Sequence, residues 1–299
     1  MNNIMQWWST LDKSWKLKIA RGPFENWTEK QAVVIRENYS YEEIEKILSR
    51  TKKLSFSKEH LGTIPDLSFL ESLESLVISQ STIDNYDNLK TLTRIKFLEL
   101  WIVNIDNLDF IANYKRLKKL NLFATKVSSL KPLKSLIQLE ELRFNKRIDD
   151  ESIRINDLSP IKDLENLKVL HIGKEVKDIK AVEHLSSLEE FSYRKLDSFE
   201  SLKNLEKLKK IFVMGNTENY PLNDLSPISN LKNLEHLDIS FSNVSTLSPI
   251  YGLQSLKTLV FKETPLDEEN KKFWKKLLGK TEVQRFKKFN PVCEIKNYK

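Results

Sequence analysis

The sequence has 299 residues, 40% of them hydrophobic, and carries a formal net charge of +7. This is enough apolar material for a continuous core. No stretch approaches the roughly 18 consecutive apolar residues of a spanning helix, so a membrane protein is not expected. The single cysteine, Cys293, excludes a framework of internal disulfides.

Residues 1–50 predict a helical N-terminal cap. Ser40 and Glu43 have the spacing of a capping box, and apolar residues follow them at helical intervals. Apolar bulk for covering the end of a core comes from Trp7, Trp8, Trp15 and Trp27. The first twenty residues contain no apolar segment of the kind that secretory signals have, so we expect a cytoplasmic protein.

Residues 51–263 repeat a pattern of leucine-type residues with a period near 22. Self-similarity at a fixed period is typical of a solenoid. Each repeat contains an alternating apolar pair, which predicts a short strand with one face toward the core. Ten such pairs predict a parallel sheet: Leu54/Phe56, Leu76/Ile78, Leu98/Leu100, Leu120/Leu122, Leu142/Phe144, Leu170/Ile172, Phe191/Tyr193, Ile211/Val213, Leu237/Ile239 and Leu259/Phe261.

The segment that returns from each strand to the next is too short for a full helix. Proline follows a core leucine at Pro132, Pro160, Pro227 and Pro249. Because proline suits the first position of a short helix, we expect 3-10 turns on the convex side. Two repeats are longer, with extra residues near 145–154 and 214–223. These loops belong to the binding face, or they are length variation without a function, since surface loops lengthen at little cost in free energy.

Residues 264–299 predict a C-terminal cap. Residues 267–278 read as a helix with Phe273, Trp274, Leu277 and Leu278 apolar, and Thr281 begins a second short helix. Asn290 and Pro291 end that helix, and residues 292–295 suit a last extended piece. Cys293 has no activating neighbour and is expected to be a buried thiol.

These repeats resemble the short leucine-rich repeats of the internalins and of a leucine-rich phosphatase regulatory subunit. The segments 125–133 and 242–250 carry the likeness most closely, and the ending 286–295 is similar to the Pro-x-Cys-x-Ile close of bacterial leucine-rich proteins. The resemblance covers residues 51–299. It implies an α/β leucine-rich-repeat solenoid, a horseshoe whose concave sheet binds protein ligands, in a bacterial protein.

One position departs from that family. The repeats of the family often have asparagine at the third position after the strand, where its amide bonds to the turn. Here the position holds Ser81, Thr125, Ser242 and Thr264, whose hydroxyls can partly replace the amide. Val103 offers no polar group for this role.

Aromatic residues on two neighbouring strands are the candidate binding site. Phe97, Trp101 and Phe123 alternate with core leucines, so they point away from the core, as the anchors of a protein interface do. The alternative is that the N-terminal cap or a loop covers them, or that they only stack on one another. The full set of predicted partner-binding residues is Val77, Phe97, Glu99, Trp101, Asn121, Phe123, Arg143, Asn145, His171, Arg194, Phe212 and Met214.

The sequence gives little support for catalysis. It has no Walker loop, no G-x-G-x-x-G and no G-x-S-x-G motif, and only six glycines. His171 and His236 fall three repeats apart, about 14 Å, which is too far for both to bind one metal ion. We therefore expect no enzymatic activity, no metal and no cofactor.

These observations predict a monomeric interaction module that binds a protein partner on its concave sheet. An alternative is nucleic-acid binding through the C-terminal region, where residues 262–299 contain 11 Lys or Arg and 6 Asp or Glu. The concave positions argue against it, because their basic residues are nearly balanced by carboxylates rather than forming a basic stripe.

Overall fold

The computed structural model describes residues 2–21, 39–145, 155, 157–173, 176, 178–194, 196–213, 222–267 and 281–296. The chain divides into two compact units, Met1–Leu139 and Glu140–Lys299. No helix in the described ranges combines the length and apolar character needed to span a bilayer.

The first unit begins with three helices, α1 (Asn2–Thr10), α2 (Lys13–Arg21) and α3 (Tyr41–Arg50). The predicted capping box starts α3: the backbone N–H of Glu43 donates to the Ser40 hydroxyl, and the backbone N–H of Ser40 donates to the Glu43 carboxylate. Trp15 packs edge-on against Phe56, with ring centroids 5.4 Å apart. These helices confirm the predicted helical N-terminus; Trp27 lies outside the described residues.

Four parallel strands follow in the first unit: β1 (Lys53–Ser57), β2 (Ser75–Ser79), β3 (Phe97–Trp101) and β4 (Lys119–Phe123). They pair in chain order, with Leu54 aligned to Leu76 and Leu76 to Leu98. Both members of every predicted apolar pair in these strands are buried. The alternate residues therefore lie on the other side of the sheet, which we call its open face.

The second unit continues with seven parallel strands, which also pair in chain order. The six remaining predicted apolar pairs are buried here as well, from Leu142/Phe144 to Leu259/Phe261. The strands are β5 (Glu141–Asn145), β6 (Val169–Ile172), β7 (Glu190–Tyr193), β8 (Lys210–Val213), β9 (His236–Asp238), β10 (Thr258–Val260) and β11 (Glu294–Lys296).

Short 3-10 segments connect the strands, as the prolines predict. Within each unit they contact the 3-10 segments of neighbouring repeats, so they form a second layer over the core. Proline occupies the first turn of four of them, where its missing N–H leaves no partner unsatisfied. They span Asp87–Thr91, Asp109–Asn113 and Lys131–Ser135 in the first unit, and Ser159–Ile161, Lys180–His184, Glu200–Leu202, Ser226–Ile228 and Ser248–Ile250 in the second.

One residue, directly after β1 to β4 and three residues after β9 and β10, adopts a left-handed conformation. Gln80 has φ +47° and Ile102 has φ +54°, and the same turn recurs at Lys58, Ala124, Phe241 and Glu263. This conformation directs the backbone N–H sideways: Gln80 N–H donates to the Trp101 carbonyl at 2.7 Å, and Ile102 N–H to that of Phe123 at 2.8 Å. The turn thus extends the ladder one residue beyond the strands.

Hydroxyl side chains bond to the turns in several repeats, as the sequence predicts. The Ser81 and Ser242 hydroxyls donate to backbone carbonyls of Ser79 and Ile239. Val103 is buried among apolar residues. The next residue, Asn104, takes the missing role, because its amide both accepts from the Ile83 N–H and donates to the Ile83 carbonyl, each at 2.9 Å.

The position immediately before most strands carries a charge, and in the second unit the sign alternates from β5 to β10; we call this row the charge ladder. In the first unit Lys96 pairs with Glu74 at 2.7 Å. In the second unit the sequence of signs is Glu140, Lys168, Glu189, Lys209, Glu235, Lys257. Pairs form there at 3.4 Å (Lys168–Glu140), 2.7 Å (Lys209–Glu189) and 2.7 Å (Lys257–Glu235). A strand displaced by one repeat would place like charges together, so the ladder favours the native pairing.

A helix and a strand close the second unit, as predicted. Helix α4 (Glu282–Phe289) begins with a capping box formed by Thr281 and Gln284. One oxygen of Glu282 accepts from the Thr246 hydroxyl, the Leu247 N–H and the Tyr251 hydroxyl, which joins the helix to the last repeats. Cys293 is fully buried, and burial raises the pKa of its thiol to about 11. The predicted helical residues 268–278 lie outside the described part.

Candidate partner-binding surface

The open face of the first unit holds three pairs of side chains on β3 and β4. Leu98 and Leu100 are fully buried, so the residues that flank them face away from the core. The register aligns Phe97 with Lys119, Glu99 with Asn121, and Trp101 with Phe123. The prediction that the three aromatic residues share one face of adjacent strands is confirmed by this register.

Trp101 and Phe123 form an exposed aromatic pair. Their ring centroids are 6.0 Å apart at an interplanar angle of 67°, an edge-to-face contact. Trp101 is 40% exposed and Phe123 39%, so neither the N-terminal helices nor any other described segment covers them. Phe97 is half-buried at the opposite end of β3. Large aromatic side chains left in water are typical of surfaces that associate with another molecule.

Hydrogen bonds from the preceding repeat hold the backbone carbonyl of each aromatic residue. The Trp101 carbonyl accepts from Gln80, and the Phe123 carbonyl accepts from Ile102, through the left-handed turns described above. Ile102 is β-branched, and a left-handed conformation costs such a residue on the order of 1–2 kcal/mol. The pair is therefore presented from a rigid ladder, which lowers the entropy lost when a partner binds.

Glu99 lies between Phe97 and Trp101 on the same face. The side-chain amide of Asn121 donates to one Glu99 oxygen at 3.0 Å. Both residues are half-buried, as is Val77, which the register aligns with Glu99 on β2. Among the residues the structure describes, Glu99 has no ion pair, and the buried Oδ1 of Asn121 has no hydrogen-bond donor.

On the open face of the second unit, a chain of charged side chains crosses four strands. Arg143 donates to Glu141 at 2.6 Å and to His171 Nδ1 at 2.8 Å. His171 Nε2 lies 2.7 Å from Glu190, whose other oxygen accepts from Lys210 at 3.2 Å. We call these five residues the charged network. Arg143 and His171 were predicted as interface residues; the structure shows that both also bond to one another.

The charged network shifts the ionisation of its central members. Burial, with help from the Arg143 charge, lowers the pKa of His171. Burial would raise the pKa of Glu190, but hydrogen bonds from His171 and Lys210 outweigh it and hold that pKa below its usual value. Glu190 is thus a carboxylate and His171 a neutral ring at neutral pH.

The remaining predicted site residues are in the second unit. Phe212 stacks at a tilt on His236, with ring centroids 4.7 Å apart, and both are half-buried. Asn145 is half-buried at the end of β5, and Arg194 is half-buried immediately after β7. Met214 lies outside the described residues.

The described ranges contain no candidate metal site and no activated cysteine. Within them no group of three His, Cys, Asp or Glu side chains is arranged to hold a metal ion. His171 engages Arg143 and Glu190, and burial keeps the Cys293 thiol protonated.

No protein-family model matches the sequence, and no curated protein matches it. Solved structures do resemble its fold. An internalin, InlF from Listeria monocytogenes, aligns with a TM-score of 0.54 at 21% identity over 74% of this chain and 76% of that one. The leucine-rich-repeat ectodomain of the Arabidopsis thaliana receptor kinase GASSHO1/SCHENGEN3, solved in complex with CASPARIAN STRIP INTEGRITY FACTOR 2, aligns with a TM-score of 0.51 at 19% identity. That alignment covers 73% of this chain and 28% of the ectodomain.

Proposed function

We propose that this leucine-rich-repeat solenoid, whose fold is similar to that of the internalins, is a non-enzymatic module that binds a protein partner on the open face of its sheet. The observation that carries the proposal is the exposed Trp101–Phe123 pair on a rigid strand ladder. Phe97 and Val77 extend the same face of the first unit. An extended sheet face is large enough for a protein and too open to enclose a small molecule.

The balance of charge favours a protein over a nucleic acid. On the second unit's open face the cations of Arg143 and Lys210 already bond to carboxylates. In the described part of the basic C-terminal region, Arg285 pairs with Glu282, and Lys296 with Glu294. Phosphate binding needs unpaired cations along one surface, which these pairs do not provide.

Affinity capture tests the proposal. Immobilised full-length protein is exposed to extract of the native host, and the captured proteins are compared with those of the double variant Trp101→Ala/Phe123→Ala. Ile137→Ala is the matched control, because Ile137 is an exposed apolar residue of the same unit outside the strands. A protein retained by the control and lost by the double variant supports the proposal. Equal capture by all three proteins contradicts it.

We also propose a monomer in the bacterial cytoplasm. The support is the sequence: it has one cysteine, and its repeats and ending resemble those of bacterial proteins. Light scattering after size exclusion tests the first part, since a dimer would double the 35.2 kDa mass. Fractionation of the host tests the second, and recovery from the culture medium or the cell surface would contradict it.

A further inference from the structure

We infer that the open face of the first unit takes a basic side chain of its partner, arginine in particular, at Glu99 beside the Trp101–Phe123 pair. This inference rests on the proposed function and identifies the chemistry of the contact. It is supported by the missing counter-ion of Glu99, by the missing hydrogen-bond donor at Asn121, and by the short distance from Glu99 to Trp101.

Glu99 differs from the other glutamates of the open faces. In the second unit, Glu141 pairs with Arg143, and Glu190 bonds to His171 and Lys210. Glu99 is half-buried like them, yet its sole described polar contact is the Asn121 amide. A partly desolvated carboxylate without a counter-ion is costly, and a cation from a partner would remove that cost.

The side chains of Glu99 and Asn121 leave hydrogen-bond acceptors without donors. Asn121 uses its amide N–H to hold Glu99, and its Oδ1 has no donor among the described residues. A guanidinium group carries five N–H donors in a planar fork and no acceptor. It could satisfy the free side of the carboxylate and, after a small rotation of the Asn121 amide, the unsatisfied oxygen as well. A lysine ammonium lacks this planar arrangement.

The aromatic rings lie within reach of the same side chain. Trp101 follows Glu99 by two residues on one strand, a rise of about 6.6 Å. A planar guanidinium or its aliphatic stem can therefore contact the exposed Trp101 ring while its tip meets Glu99.

A random peptide library displayed on phage supplies the probe. Peptides are selected on the full-length protein after removal of those that bind Trp101→Ala. The inference predicts that the retained sequences share an arginine at a fixed distance from an apolar residue. One selected peptide is then synthesised in two forms, with arginine and with citrulline, which has nearly the same shape and no charge.

The decisive comparison is Glu99→Gln against Glu189→Gln. Glutamine can still accept from Asn121, so the fold around position 99 is kept; Glu189 lies off the open face and controls for the loss of one negative charge. We expect Glu99→Gln to weaken binding of the arginine peptide about tenfold. Replacing the arginine by citrulline should weaken binding to the native protein by a similar factor. Because both changes remove the same contact, the citrulline peptide should bind Glu99→Gln only slightly more weakly than either single change predicts. Glu189→Gln should leave the affinity within about twofold.

Two outcomes separate the failures. If the peptides require Trp101 but contain no shared basic residue, or bind Glu99→Gln as tightly as the native protein, the inference is wrong and the proposed function stands. If no peptide depends on Trp101 or Phe123, the proposed function itself is contradicted.

Discussion

Arg143 and His171 share a hydrogen bond of 2.8 Å between the guanidinium Nη1 and the ring Nδ1. Because a guanidinium can only donate, Nδ1 must be the acceptor. The other ring nitrogen faces the Glu190 carboxylate at 2.7 Å and therefore carries the proton. The contacts thus fix both the tautomer and the neutral charge of His171, which agrees with its lowered pKa.

This arrangement predicts that acid destabilises the protein. The pKa values of His171 and His236 are both lowered, chiefly by burial, so the unfolded chain binds their protons at a higher pH than the native state does. The free energy of unfolding is then highest above the unfolded value of about 6.5 and falls as the pH decreases through it. Denaturant titrations between pH 7.5 and 5.5 measure this slope. Stability that rises on acidification would contradict the assignment.

His171→Gln isolates the contribution of the charged network to that slope. A glutamine can donate to Glu190 and accept from Arg143, and it does not titrate. We expect the variant to unfold cooperatively and to lose less stability between pH 7.5 and 5.5 than the native protein. His236 contacts Phe212 and is not part of the charged network. His236→Gln should therefore reduce the pH dependence of the unfolding free energy by a separate amount.

The left-handed turn at Gln80 predicts substitutions of opposite sign. Gln80 is exposed and has φ +47°, a conformation that costs residues with a Cβ about 1 kcal/mol or more. Gln80→Gly should raise the free energy of unfolding by up to about 1 kcal/mol, because relief of strain exceeds the added entropy of the unfolded chain. Gln80→Val should lower it by a similar amount, since β-branched residues tolerate this region least. Chemical denaturation measures both; the same sign for both changes would refute the strain.

The charge ladder predicts that reversing one charge lowers the free energy of unfolding and that reversing its partner as well restores part of it. Glu235 pairs with Lys257, and the hydrogen bond from Lys257 lowers the Glu235 pKa, with a further contribution from Lys209. Glu235→Lys should reduce stability by placing like charges in one row. Adding Lys257→Glu should restore part of the loss. The difference should shrink in high salt because the groups are exposed; a difference independent of salt would mean that the ladder acts through packing.

Much of the fold could be predicted because burial follows the alternation of the strands. Leu98 and Leu100 are buried and Trp101 is exposed, as two-residue periodicity requires. The left-handed turns were not predictable in this way, since Gln80 and Ile102 carry none of the glycine or asparagine signals of that conformation. The role of Asn104 was missed because it stands one position beyond the place where the family has its asparagine.

The contacts within the candidate surface were harder to predict than the surface itself. Arg143 and His171 are 28 residues apart in the chain, and the longer repeat between them conceals their alignment on adjacent strands. The pairing of Glu190 with both His171 and Lys210 depends on side-chain rotamers as well as on register. Periodicity identifies which face a residue occupies, whereas hydrogen bonds across strands require the register to be known.

The affinity of the purified captured partner for Trp101→Ala tests the central claim most directly, with Ile137→Ala as its control. Isothermal titration should show a dissociation constant about thirtyfold higher for Trp101→Ala, the cost of about 2 kcal/mol expected for an interface anchor, while thermal unfolding stays cooperative. The control should bind like the native protein. A dissociation constant for Trp101→Ala within about twofold of the native value would contradict the claim that this face is where the partner binds.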